Sequence, residues 1–153
     1  MTTPSEPLVR LIYASRMPKE VGPKELAAIL QVSRQNNEKL GLTGALCYSP
    51  DYFLQCLEGE RAAVNEVYGR IVQDERNANV TLLSYQMITE RLFGRWLMAY
   101  IRFDEVDRAI LHKRGIGNDF DPFGMSPAQC EGLLHDTARE RAAFLSSVSH
   151  GGA

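Results

Sequence analysis

Three polar side chains stand on surfaces that otherwise read as core: Tyr13, Asn37 and Gln55. Tyr13 ends the apolar run Leu8-Val9-Arg10-Leu11-Ile12-Tyr13, and Gln55 interrupts Tyr52-Phe53-Leu54-Gln55-Cys56-Leu57. Asn37 closes a helical stripe of Leu26, Ile29, Leu30, Ser33 and Asn37, spaced i, i+3, i+4, i+7, i+11. A buried polar group costs free energy unless it finds a partner. Three of them on inward faces imply something polar to hold, such as the edge of a flat cofactor. Arg70 and Asp74 add an i, i+4 pair beside Val67 and Ile71. A planar tricycle with one polar edge suits this set. Ile29, Phe53 and Ile71 supply apolar walls, Asn37 an amide, and Arg70 a cation, the mixture that ligand pockets use.

Each residue alone has a plainer reading. Tyr13 could be a core aromatic with a satisfied hydroxyl, and Gln55 a structural hydrogen-bonding residue. Arg70 with Asp74 could be a solvated helix pair of little energetic value. Asn36-Asn37 could mark a helix end, and Trp96 and Met98 could fill core.

The elements that must position these residues follow from periodicity and turn chemistry. Residues 8–14 read as a strand, and a helix starts near Pro23, well placed at a first helical position, and stops at Gly41. Strands over 42–48 and 52–57 are joined by Ser49-Pro50-Asp51 into a hairpin, with Glu58-Gly59 expected to break the second. A second helix over 61–75 carries the stripe Val64, Val67, Ile71, and strands over 80–88 and 96–103 follow. The order βαββαββ predicts an α+β, ferredoxin-like fold: a five-stranded mixed sheet with two helices on one face. Strand alternation then puts Val9, Leu11 and Tyr13 on one face, and Phe53, Gln55 and Leu57 on one face. If both faces meet the helices, Tyr13, Gln55 and Asn37 share a layer.

Past Phe103 the composition changes. A short charged helix over 104–114 and a Gly/Asp/Pro loop lead to Ser126-Pro127-Ala128-Gln129, which carries both a capping box and a first-position proline. The stripe Cys130, Leu133, Leu134, Thr137, Ala138, Phe144, Leu145 must pack on the sheet's free face, on another subunit or on a partner. The expected division is a disordered 1–7, a ligand-binding domain over 8–103 and a helical extension over 104–153.

The chain has 153 residues, 44% of them apolar and 24% charged, which suits one globular domain. A net charge of -2 gives no reason to expect nucleic-acid or membrane binding. Cys47, Cys56 and Cys130 form no CxxC pair, and the scattered His112, His135 and His150 suggest no metal site. The Pro-interrupted N-terminus lacks the apolar stretch of a signal peptide, so cytoplasm is the expectation.

Taken in order, Arg10-Leu11-Ile12-Tyr13-Ala14-Ser15, Asn36-Asn37 with Gly41-Leu42-Thr43-Gly44, Phe53-Leu54-Gln55-Cys56-Leu57-Glu58-Gly59, Arg70-Ile71-Val72-Gln73-Asp74 and Trp96-Leu97-Met98 resemble the BLUF family of flavin-dependent blue-light sensors. The likeness runs from about Leu8 to Phe103 without a missing element, and no output enzyme is recognisable beyond it. It implies a short, single-domain photoreceptor, not an enzyme, holding FAD or FMN. Asn36, Asn37, Ile29, Phe53, Gln55, Arg70, Ile71 and Asp74 would bind the flavin. Tyr13 would be the phenol that gives an electron and proton to the excited flavin. Gln55 would be the amide that exchanges its donor and acceptor ends, because only an amide side chain carries both. Ser15, Trp96 and Met98 would carry the switch to the last strand. Output would pass to a signalling protein, often from a dimer or ring. The competing readings are an acylphosphatase-like hydrolase, which lacks a clustered nucleophile and base or a phosphate loop, and a light-insensitive binding or assembly domain.

Overall fold

The structure is a computed structural model that describes residues 7–17, 22–75 and 77–151, with side chains as far as residue 142. The expectation for 1–7 therefore falls, Pro7 apart, outside the described residues. So do the side chains of Phe144 and Leu145.

β1 (Leu8–Arg16) lies inside the sheet, antiparallel to β3 (Tyr52–Glu60) on one side and to β4 (Ala78–Ile88) on the other. β2 (Thr43–Tyr48) pairs antiparallel with β3, and β5 (Ala99–Arg102) closes the far edge parallel to β2. The sheet order is β4-β1-β3-β2-β5. With α1 (Pro23–Leu40) and α2 (Arg61–Gln73) between strands, this is the expected βαββαββ arrangement. Local chemistry explains the boundaries. Pro23 opens α1, and Gly41 ends it in the left-handed region at φ 68°, where a side chain would be strained.

Period-2 alternation divides the core into two layers. On one face Val9, Leu11, Tyr13, Phe53 and Leu57 pack with Leu30 of α1 and with Val64 and Val67 of α2. On the other, Ile12, Leu54 and Cys56 pack with Leu111 of α3 (Arg108–Lys113) and with Cys130, Leu133 and Leu134 of α4 (Pro127–Gly151). Each fully buried leucine there contributes roughly 1.5–3 kcal/mol. The last helix thus covers the sheet's free face within the same chain. Both arms of its capping box form: Gln129 N donates to Ser126 Oγ at 3.1 Å, and Ser126 N to Gln129 Oε1 at 2.9 Å.

Three expectations need correction. β3 is not broken at Glu58-Gly59 but runs to Glu60 and passes directly into α2. Glu58 is held by Arg10, and Gly59 is small because Leu42 lies against it: a Cβ there would stand 2.4 Å from Leu42 Cδ2. β5 covers only four residues, so Trp96 and Met98 lie in the loop ahead of it, turned by a bond from Trp96 N to Phe93 O. The helix expected over 104–114 is a 3-10 turn, Phe103–Glu105, followed by α3. Asp107 separates them by capping α3, its carboxylate accepting from Ala109 N at 2.9 Å.

Candidate functional site

α1 and α2 stand apart over the centre of the sheet, leaving a cavity of about 120 Å³. Tyr13, Ile29, Asn36, Asn37, Phe53, Gln55, Arg70, Ile71 and Asp74 line it, together with Leu30, Val32, Ser33, Leu46, Val67 and Asn77. Its floor is set by strand register. Tyr13 and Gln55 are direct cross-strand partners of β1 and β3 and share a face.

The Tyr13 hydroxyl donates to Gln55 Oε1 at 2.5 Å, a short bond between two buried groups. At its other end Gln55 Nε2 lies 3.5 Å from Met98 Sδ, a weak acceptor. The amide therefore joins β1 to the loop ahead of β5. Burial, then the charges of Tyr68 and Asp74, push the Tyr13 phenol well above the ordinary tyrosine range, so it stays protonated. Tyr68 of α2 also packs on the Tyr13 ring, centroids 5.7 Å apart.

Asn37 behaves differently. Its side chain is fully buried, and neither Nδ2 nor Oδ1 has a hydrogen-bond partner. Each orphaned group costs about 1–3 kcal/mol unless something outside the chain satisfies it. Arg70 is 58% exposed and pairs with Glu66 one turn earlier at 2.7 Å, a partner that the sequence reading did not name. Such an exposed pair contributes ~0–1 kcal/mol.

Ser15, Trp96 and Met98 do not line the cavity. Ser15 bonds Asn77 ahead of β4 at 3.4 Å. That is the opposite side of the sheet from β5, so Ser15 does not lead directly to the last strand. Met98 packs in the layer with Tyr13. Trp96 packs in the other layer, 6.3 Å from both Phe93 and His135 of α4 by ring centroids. Two residues absent from the sequence reading tie α1 to this loop. Arg34 donates to Met98 O at 2.9 Å and lies 4.9 Å over the Tyr100 ring, and the Tyr100 hydroxyl donates to Leu30 O. Nothing in a helix-surface arginine or a strand tyrosine marks that link in advance.

A family model described as sensors of blue light using FAD matches residues 8–99, well over half of the chain. The chain belongs to the BLUF family. It is 31% identical over 101 residues to photoactivated adenylate cyclase subunit beta of Euglena longa, a match covering 65% of this chain and 12% of the relative. It is 30% identical over 88 residues to the blue light- and temperature-regulated antirepressor BluF of Escherichia coli K12, 58% of this chain and 22% of that one. The matches thus span a minor part of these curated relatives. Among solved structures, the photo-activated state of BlsA superposes with a TM-score of 0.75 at 30% identity, covering 85% of this chain and 94% of that one. The dark state of BlrB gives 0.73 at 29%, covering 87% and 96%.

BLUF domains bind flavin, and the residues here fit one. The unpartnered amide of Asn37 offers a donor and an acceptor side by side, the pattern an imide edge requires. The apolar residues Ile29, Phe53 and Ile71 line the same space.

Proposed function

We propose that this chain is a blue-light sensor that holds FAD or FMN between α1 and α2. One observation carries the reading: a short Tyr13-Gln55 hydrogen bond opens onto the same cavity as an Asn37 amide with no partner. In it Asn37 and Asn36 hold the polar edge of the ring, Ile29, Phe53 and Ile71 its faces, and Arg70 with Asp74 its outer carbonyl side. A bound flavin would supply blue absorption and an excited state oxidising enough to draw an electron from a phenol.

The chain's own part is then to move one proton and turn one amide. Burial keeps the Tyr13 phenol protonated at ordinary pH, so its proton is released only once an electron is drawn from it. That proton already points at Gln55 Oε1. Inverting the Gln55 amide would place Nε2 toward the Tyr13 oxygen and Oε1 toward Met98. The sulfur would then face an acceptor where it had a donor, and the loop carrying Met98 and Trp96 would feel the change.

Residues 8–103 are the sensing domain in this reading. Residues 104–142 cover the other face, and the extension over 104–153 passes the change to a partner protein or to a second copy in a dimer or ring. The chain itself performs no enzymatic reaction. Three buried free thiols, Cys47, Cys56 and Cys130, suit the reducing cytoplasm. Burial pushes Cys47 and Cys130 up to about 12 and Cys56 well above its ordinary value, so none is a ready nucleophile.

The test is optical. Purified protein should be yellow, shift its visible band slightly to the red under blue light and return in darkness. A colourless protein, or one that bleaches to a lasting reduced flavin, would sink the reading.

A further inference from the structure

We propose that Glu58 is a positioning residue for the switch. It fixes the upstream end of the loop ahead of β5, leaving the stretch from Trp96 to Met98 to answer Gln55. This rests on the photoreceptor reading above. Glu58 is fully buried, three residues along β3 from Gln55 and on the opposite face of the sheet. Its carboxylate accepts from Phe93 N at 2.7 Å, from Leu92 N at 2.9 Å and from Arg10 Nε at 2.8 Å. Three charge-assisted bonds to one buried carboxylate make a rigid anchor.

Neighbouring residues strengthen the hold. Arg91 donates to Gly41 O at 2.8 Å and Thr43 Oγ1 at 3.1 Å, fixing the loop to the junction of α1 and β2. Arg10 also lies 3.5 Å from Glu131, which ties the anchor to α4. Downstream the holds are fewer. Trp96 O accepts a neutral bond from Gly44 N at 3.1 Å, and Met98 O accepts one charge-assisted bond from Arg34 at 2.9 Å. Met98 Sδ meets Gln55 Nε2 only at 3.5 Å.

One loop thus has a fixed end and a yielding end, and the yielding end touches both Gln55 and α4. Because Gln55 and Glu58 sit roughly 10 Å apart on one strand, β3 keeps the switch and the anchor in constant relation. A disturbance at Gln55 is then expressed in Trp96 and Met98 and does not dissipate in the whole loop.

Amide hydrogen exchange on the full chain in darkness and under blue light tests the anchor without any substitution. Leu92 and Phe93 should stay protected in both states. Glu58→Gln turns one acceptor oxygen into a donor. That variant should keep its flavin and red shift but recover in darkness about tenfold faster, the rate equivalent of one net hydrogen bond. Its lit-minus-dark fluorescence should change as well, and Trp96 is the chain's single tryptophan. A merely structural carboxylate would lower the melting temperature and leave recovery and fluorescence alone. Light-induced exposure of the Leu92 and Phe93 amides overturns the proposal. So does a folded Glu58→Gln that recovers within twofold of the wild type, the threshold set by the smallest net bond. Wild-type protein with no red shift would overturn the photoreceptor reading first, and its spectrum alone would show it.

Discussion

The two faces of the sheet carry similar apolar strands and opposite polar economies. Toward α3 and α4, Phe93, Ile101, Leu133 and Leu134 close the layer, and the buried charge of Glu58 has its donors supplied by the chain. Among the described residues, Thr137 Oγ1 is the one buried polar side-chain atom on that face without a partner. Toward α1 and α2 the layer is open, and a whole amide, Asn37, is left unsatisfied beside the Tyr13-Gln55 pair. Stability accounts for the first arrangement. The second makes sense only with something else in it. Burial alone does not separate the faces; the separation lies in which polar groups the chain can satisfy by itself.

The largest expected effect is on the open face. Tyr13→Phe keeps the ring and loses the hydroxyl, so the protein should retain flavin and lose the light-induced red shift altogether. Difference spectra check this, and a surviving red shift would remove the distinction between the faces as far as switching goes.

Leu133→Ala is the matching cut on the closed face. It should cost about 2–5 kcal/mol in denaturant unfolding by leaving a cavity, while the red shift of the folded protein is unchanged.

Asn37→Leu sharpens the comparison because its two effects have opposite signs. Removing an orphaned amide should stabilise the flavin-free chain by about 1–3 kcal/mol and weaken flavin retention by a similar amount. Parallel melts of flavin-free and flavin-loaded protein measure both. A flavin-free chain that Asn37→Leu destabilises would show the amide to be satisfied already.

The smallest effect is a pH dependence on the closed face. Desolvation is the first cause, with Arg139 adding to it, that holds His135 below the ordinary 6.5 against the opposing pull of Asp136, Glu131 and Glu58. A depressed folded value means stability present above 6.5 and lost as pH falls through the folded value. The melting temperature should therefore drop slightly on acidification below about 6.5, with a change in Trp96 fluorescence, and His135→Gln should flatten both.

Much of this was legible in the chain itself. Alternation placed Tyr13 and Gln55, the Ser126 capping box placed α4, and Pro23 and Gly41 bounded α1, because these signals act within a few residues. The Glu58-Gly59 pair misled because it has turn composition inside a strand. A glycine kept small by Leu42 and a glutamate kept buried by Arg10 are long-range facts that composition does not carry. The apolar run puts Trp96 and Met98 in a strand, because such runs do not reveal which backbone groups lack ladder partners.

By itself the sequence determined the element order, the inward faces and the family, since these depend on local periodicity and on residue types in order. Tertiary structure alone decided three things. Gln55 bonds Tyr13 and meets Met98, Asn37 goes unpaired, and the final helix covers the sheet's other face rather than being left for a partner to cover. Those outcomes depend on distances between residues far apart in the chain, fixed by strand register and sheet order, and no local signal encodes them.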